Sequence, residues 1–86
     1  IGDIDAIEIN EAFSSMAVAS ARELGLDDEI TNQVGSGCSL GHPVACTGAR
    51  MLVTMADQLA RTDQPWGVAT MCAAGGMGAA TVIERV

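Results

Sequence analysis

In "WGVATMCAAGGMGAATVIE" (residues 66–84) two runs of strand-forming residues flank a glycine-rich middle. "WGVATM" (66–71) and "AATVIE" (79–84) each read as a strand, and "CAAGGMG" (72–78) is too rich in glycine for strand or helix. A strand, a glycine turn and a strand predict a β-hairpin. Upstream, "IDAIEI" (4–9) is a short apolar run with two closely spaced isoleucines and reads as a buried strand. The period then changes. From Glu11 to Leu24, Phe13, Met16, Ala17, Ser20, Ala21 and Leu24 fall on one face of a helix, and Gly25 supplies the stop.

Residues 26–34 form a polar connection, followed by a glycine-rich run, 35–41, read as a loop. Pro43 stands where a helix can begin, with its φ preset and no amide hydrogen to leave unpaired. Val44, Gly48, Met51, Leu52, Met55, Ala56 and Leu59 then mark a second amphipathic helix, ending before "RTDQP". The expected order is β-α-loop-α-β-β: an α/β fold with helices packed on a mixed sheet. The chain has no internal repeat and no low-complexity tract.

The 86 residues make at most one small domain, close to the lower limit for a self-sufficient core. Although 49% of the residues are apolar, there is one Phe, one Trp and no Tyr. Small isolated domains anchor themselves with large rings or disulfides. This composition instead suits a piece of a larger α/β structure in which small side chains let layers approach. Ile1 in place of Met fits the same expectation.

The net charge of −7, with four Arg and no Lys, argues against nucleic acid. No apolar run is long enough to span a bilayer. Three cysteines without framework spacing suggest reduced thiols and a cytoplasmic setting.

Three chemistry-capable residues stand at element ends. Asn10 lies where the first strand passes into its helix, His42 at the start of the second helix, and Cys72 at the end of a strand. Ligand sites in open α/β sheets collect at such places. Asn10 could instead be an ordinary N-cap. His42 could be a core or capping histidine, yet beside a helix N-terminus the dipole favours the neutral imidazole that a general base requires. Cys72 could be a small buried hydrophobe. Against that, it directly precedes a glycine loop whose amides could face a developing oxyanion. Cys38, His42 and Cys46, spaced by four, could join Cys72 in a Cys3His zinc set, although Pro43 interrupts any helix through them. Gly35, Gly37 and Gly41 lack both the ending of a phosphate loop and the spacing of a dinucleotide fingerprint.

"EINEAF" (8–13), "GSGCSLGHPVACTGAR" (35–50) and "CAAGGMG" (72–78), in this order, resemble the C-terminal portion of thiolases, the acyl-CoA acetyltransferases. The likeness runs from "IDAIEINEAF" to "AATVIE". It implies a thiolase-type C-terminal domain lacking the N-terminal, nucleophile-bearing half. It also implies Claisen condensation, or CoA-dependent thiolysis of 3-ketoacyl-CoA. By this resemblance His42 activates an acyl-accepting cysteine carried elsewhere and helps form an oxyanion hole, and Asn10 holds the water completing that hole. Cys72 is the acid/base that moves the α-proton. Ala74 and Gly75 belong to the loop of a second oxyanion hole, and Phe13 lines the acyl pocket.

The implied partners are acyl-CoA, CoA as a substrate and not a prosthetic group, the missing half, and further copies in a homodimer or homotetramer. Alone, the 86 residues are expected to be inactive. The alternatives are a non-catalytic thiolase-like subunit or degenerate homologue, and the small zinc module.

Three departures from the family pattern bear on this. Ala74 replaces a common glycine, and would be strained if the position required positive φ. Val34-Gly35-Ser36 stands where Asn-Gly-Gly is common. Ala45-Cys46 replaces a frequent Gly-Ala, and Cys46 is expected to pack within the helix.

Overall fold

The computed structural model describes residues 1–86 throughout. Its elements are β1 (Ala6–Ile9), α1 (Ser14–Leu24), α2 (Gly37–Leu40), α3 (Thr47–Thr62), β2 (Trp66–Ala73) and β3 (Met77–Glu84), with a 3-10 turn at Ala74–Gly76. The sheet order is β1-β2-β3. β1 runs parallel to β2, from Ala6 beside Gly67 to Ile9 beside Thr70. β2 and β3 form the expected antiparallel hairpin. The sheet is therefore mixed, as the sequence suggested.

β1 is buried along its whole length because each face of the sheet carries a helix. The alternation of a strand sends Ala6 towards α3, where it meets Met55 and Leu59. Ile7 and Ile9 point the other way and pack with Ala17 of α1. α3 sits very close to the sheet. A Cβ placed on Gly67 would lie 2.5 Å from the Met55 sulfur, so only glycine leaves this contact undisturbed. The outer edge of β1 is closed by the chain after α1. The Ile7 amide donates to the Ile30 carbonyl at 2.7 Å, and the Asn32 amide to the Ile7 carbonyl at 2.8 Å. Asn32, at φ 50°, also accepts from the Ile9 amide and donates to the Ile9 carbonyl through its side chain. Asparagine tolerates this left-handed conformation better than most residues.

Helix ends differ from expectation in instructive ways. α1 starts at Ser14, not Glu11, because the Asn10 amide is still on the sheet, donating to the Thr70 carbonyl at 2.9 Å. Phe13 is the extended N-cap and carries no side-chain cap. Gly25 does end the helix, at φ 63°, with its amide on Arg22 and that of Leu26 on Ala21, a Schellman arrangement.

α3 starts at Thr47, not Val44. Residues 43–46 close a turn of their own, with the Cys46 amide donating to the Pro43 carbonyl at 2.6 Å, and the helix runs on to Thr62. The 35–41 run is not wholly loop, since Gly37–Leu40 make one helical turn. Within "CAAGGMG" only residues 74–76 turn, because Cys72 pairs with Gly78 and Ala73 with Met77 in the ladder. Cys46 does not pack in a helix. It is exposed, as the residue before α3.

Only 14 residues of the 86 are buried. β3 is open to solvent except at Ile83, and Met77 and Val82 are more than three-fifths exposed. No helix is long and apolar enough to cross a membrane.

Candidate active site

Asn10 follows β1 directly and is fully buried, so it is not the N-cap of α1. Its Nδ2 lies 3.4 Å from Nδ1 of His42. The same imidazole nitrogen lies 2.6 Å from Oγ1 of Thr47, the first residue of α3. His42 therefore does not open the helix; it is tied to the residue that does. Its expected place beside the helix dipole is replaced by a side-chain contact.

His42 and Cys72 line one open cavity of about 480 Å³ together with Ala12, Phe13, Val44, Met71, Ala73 and Ala74. Three chain segments meet here: the connection from β1 to α1, the 41–46 loop and the end of β2. Phe13 was expected on the packed face of α1. It is 73% exposed and faces the cavity, because as N-cap it precedes the helix and escapes its periodicity. Cys72 is exposed and also borders a second recess with Gly76, Met77 and Gly78. Gly75 lies one residue beyond the lining of the His42 cavity. Positive φ falls on Gly75 (77°) and Gly76 (76°), and not on Ala74, so the alanine is unstrained.

Residues the sequence reading passed over hold the loop that carries His42. Glu8 lies in β1, pointing towards α3, with its residue only 2% exposed. Its Oε1 is paired with the Arg50 guanidinium of α3 and accepts the Ser36 hydroxyl at 2.9 Å. Ser36, where the family commonly has glycine, is fully buried and committed to that carboxylate. Beyond the strand, Oε2 of Glu11 accepts the Cys38 amide at 2.9 Å. The sequence carried no clear signal for Glu8, because alternation puts it on the face opposite Ile7 and Ile9, where a carboxylate reads as facing solvent.

The zinc reading falls. No group of three or more His, Cys, Asp or Glu side chains is gathered to hold a metal. Cys38 is exposed, 3.0 Å from the Ser14 hydroxyl, and Cys46 is exposed at the entrance of α3.

The mixed sheet thus carries one helix on each face of β1, and Asn10, His42 and Cys72 lie at one end of its parallel strands. The family model described as "Thiolase, C-terminal domain" matches residues 1–85. The chain is 46% identical to the 3-ketoacyl-CoA thiolase of Bacillus subtilis over 82 residues, covering 95% of this chain and 21% of that protein. It is 45% identical to the acetyl-CoA acetyltransferase of Escherichia coli over 86 residues, all of this chain and 22% of that one. The crystal structure of the Bacillus anthracis acetyl-CoA acetyltransferase superposes with a TM-score of 0.97 at 45% identity, covering all of this chain and 22% of that one. The chain belongs to the thiolase family, in the region of the C-terminal domain. It spans about a fifth of the length of these relatives.

Proposed function

We propose that this chain supplies one side of a thiolase active site, in a complete protein whose acyl-accepting cysteine lies on another segment. The complete protein is then an acyl-CoA C-acyltransferase of the cytoplasm. It joins two acyl-CoA molecules by Claisen condensation, or runs the reverse, CoA-dependent cleavage of 3-ketoacyl-CoA. Its partners are acyl-CoA and CoA, the latter as a substrate, and further copies of itself in a dimer or tetramer. No prosthetic group enters the chemistry. The observation that carries this reading is the cavity shared by His42 and Cys72, with the Asn10 amide 3.4 Å from the imidazole.

In the cleavage direction, Cys72 starts as the thiol, gives its proton to the departing α-carbon, and as thiolate takes a proton from the incoming CoA thiol. The nucleophilic cysteine gives its proton to Nε2 of His42 and attacks the 3-keto carbon. The carbon–carbon bond breaks, releasing acyl-CoA and leaving the acyl group on sulfur as a thioester. CoA thiolate then attacks that thioester and frees the cysteine. Condensation is the same path reversed, with Cys72 removing the α-proton of the second acyl-CoA. Negative charge develops on two oxygens in turn. His42 Nε2–H and the water held by Asn10 face one, and amides of the Ala74–Gly75 loop face the other. Phe13 borders the acyl group.

The test is thiolysis of acetoacetyl-CoA by CoA with the complete protein. His42→Ala and Cys72→Ser are each expected to lower kcat by at least about a hundredfold with the fold intact, the scale of general acid–base catalysis. A complete protein without thiolysis would instead support a non-catalytic thiolase-like subunit. Near-normal rates in either variant would remove that residue's role.

A further inference from the structure

We infer that Thr47 is a positioning residue for His42, and that its hydroxyl, more than Asn10, holds the imidazole through every protonation state of the reaction proposed above. The geometry carries this. Oγ1 of Thr47 lies 2.6 Å from His42 Nδ1, against 3.4 Å for the Asn10 amide nitrogen. Thr47 is fully buried and is the first residue of a sixteen-residue helix, so its position is set by α3. Its β-branched side chain is also stiff at χ1.

The two neighbours of Nδ1 are chemically unequal. An amide NH2 only donates, so Asn10 can bond Nδ1 only while that nitrogen carries no proton. A hydroxyl both donates and accepts. When Nε2 is bare and ready to take a proton from a thiol, the neutral ring carries its hydrogen on Nδ1, and that hydrogen needs an acceptor. Thr47 Oγ1 is that acceptor. After the proton has moved from sulfur to Nε2, the imidazolium keeps Nδ1–H on the same oxygen, so the ring does not have to reorient between steps. Asn10 is released from Nδ1 in both of those states, which leaves both its amide hydrogens for another acceptor such as a water. In the third state, with Nε2 protonated and Nδ1 bare, the Thr47 hydroxyl turns and donates.

The inference rests on the thiolase reading but can fail separately from it. Thr47→Val keeps the shape and loses the hydroxyl, whereas Thr47→Ser keeps the hydroxyl and loses the methyl. In the complete protein, Thr47→Val is expected to lower kcat for acetoacetyl-CoA thiolysis about ten- to a hundredfold, the scale of a misplaced catalytic group, with KM little changed. Thr47→Ser is expected to stay within about threefold of the parent, since orientation and not packing sets the rate.

The opposite ranking, with serine impaired and valine normal, would show that Thr47 only fills space and would overturn the inference while leaving the thiolase reading intact. Equal, unimpaired rates would overturn it too. If Thr47→Val does not fold, Thr47→Ser against Thr47→Ala makes the same comparison with the methyl absent from both. Should the parent protein show no turnover, the 15N chemical shifts of the His42 ring still decide the matter. Loss of a populated Nδ1–H form in Thr47→Val, assigned against His42→Asn, supports the inference, and an unchanged ring spectrum overturns it.

Discussion

The Glu8 carboxylate and the Arg50 guanidinium form an ion pair between β1 and α3, with the Glu8 side chain 3% and the Arg50 side chain 17% exposed. The same oxygen of Glu8 accepts the Ser36 hydroxyl, so one buried charge ties strand, helix and glycine-rich loop together. Removing one member leaves the other uncompensated. Arg50→Met is therefore expected to destabilise the domain by about 3 kcal/mol. The thermal midpoint of the complete protein should fall clearly. Arg61→Met is the control, because the Arg61–Asp57 pair is an exposed i,i+4 bridge of little worth. Equal midpoints for the two variants would refute the assignment of a structural role to Glu8–Arg50.

Gly37 offers a second test of how the loop is fixed. A Cβ there would lie 2.8 Å from the Glu11 carbonyl oxygen and 3.0 Å from Oδ1 of Asn10. The first neighbour is backbone and cannot rotate aside. Gly37→Ala should force the loop off Asn10, at a cost of about 1–3 kcal/mol, the range for overpacking. Thiolysis by the complete protein should fall as well, because the same loop leads into His42. Gly2→Ala, with no heavy atom near its Cβ, should change neither quantity. A Gly37→Ala variant with parental midpoint and rate would mean that the approach is relieved elsewhere.

These contacts show what the sequence could and could not convey. The hairpin, both long helices and the Gly25 stop followed from periodicity and glycine position, which are local properties. The start of α3 was missed because Pro43 is equally at home opening a helix or a turn. Here the turn won, through the bond from the Cys46 amide to the Pro43 carbonyl. Phe13 was assigned to a packed face because helical spacing fits it, but its residue ends in the extended conformation (φ −138°) before the helix begins. The candidates Asn10 and Cys72 were legible from their places near strand ends, whereas His42 was picked out by a helix start that the structure moves on to Thr47. Thr47, Ser36 and Arg50 were not. Each works through a contact between segments distant in the chain or across a turn, and nothing in their local spacing announces it.

Gly67 makes a prediction about the sheet rather than the site. Its missing Cβ leaves room for Met55, whose sulfur and Cγ would otherwise lie at 2.5 and 2.8 Å, and for Leu59 at 3.2 Å. Methionine is adaptable, so part of the clash can be absorbed. Gly67→Ala should lower stability by about 1–2 kcal/mol. Pairing it with Met55→Ala should cost less than the sum of the single changes, since each removes the other's problem. Additive midpoints in a double-mutant cycle would show that α3 shifts bodily and that Met55 is not the point of contact.

The last prediction concerns the 86 residues by themselves. Six of their eight buried apolar residues fall into two clusters of three, one on each side of the sheet. Against these stand exposed Phe13 (73%), Val44 (79%), Met77 (64%) and Val82 (62%), spread over the cavity rim and the uncovered hairpin. An apolar surface of this extent on a small domain marks a face that is normally covered, and it weakens the balance between burial and chain entropy. The isolated polypeptide is therefore expected to keep helical circular dichroism, bind a hydrophobic dye such as ANS, and unfold over a broad range without a sharp midpoint. In the complete protein the dye should find little surface and the transition should sharpen. A sharp, reversible melt of the isolated chain, with no dye binding, would show that these faces need no cover and that the small core suffices.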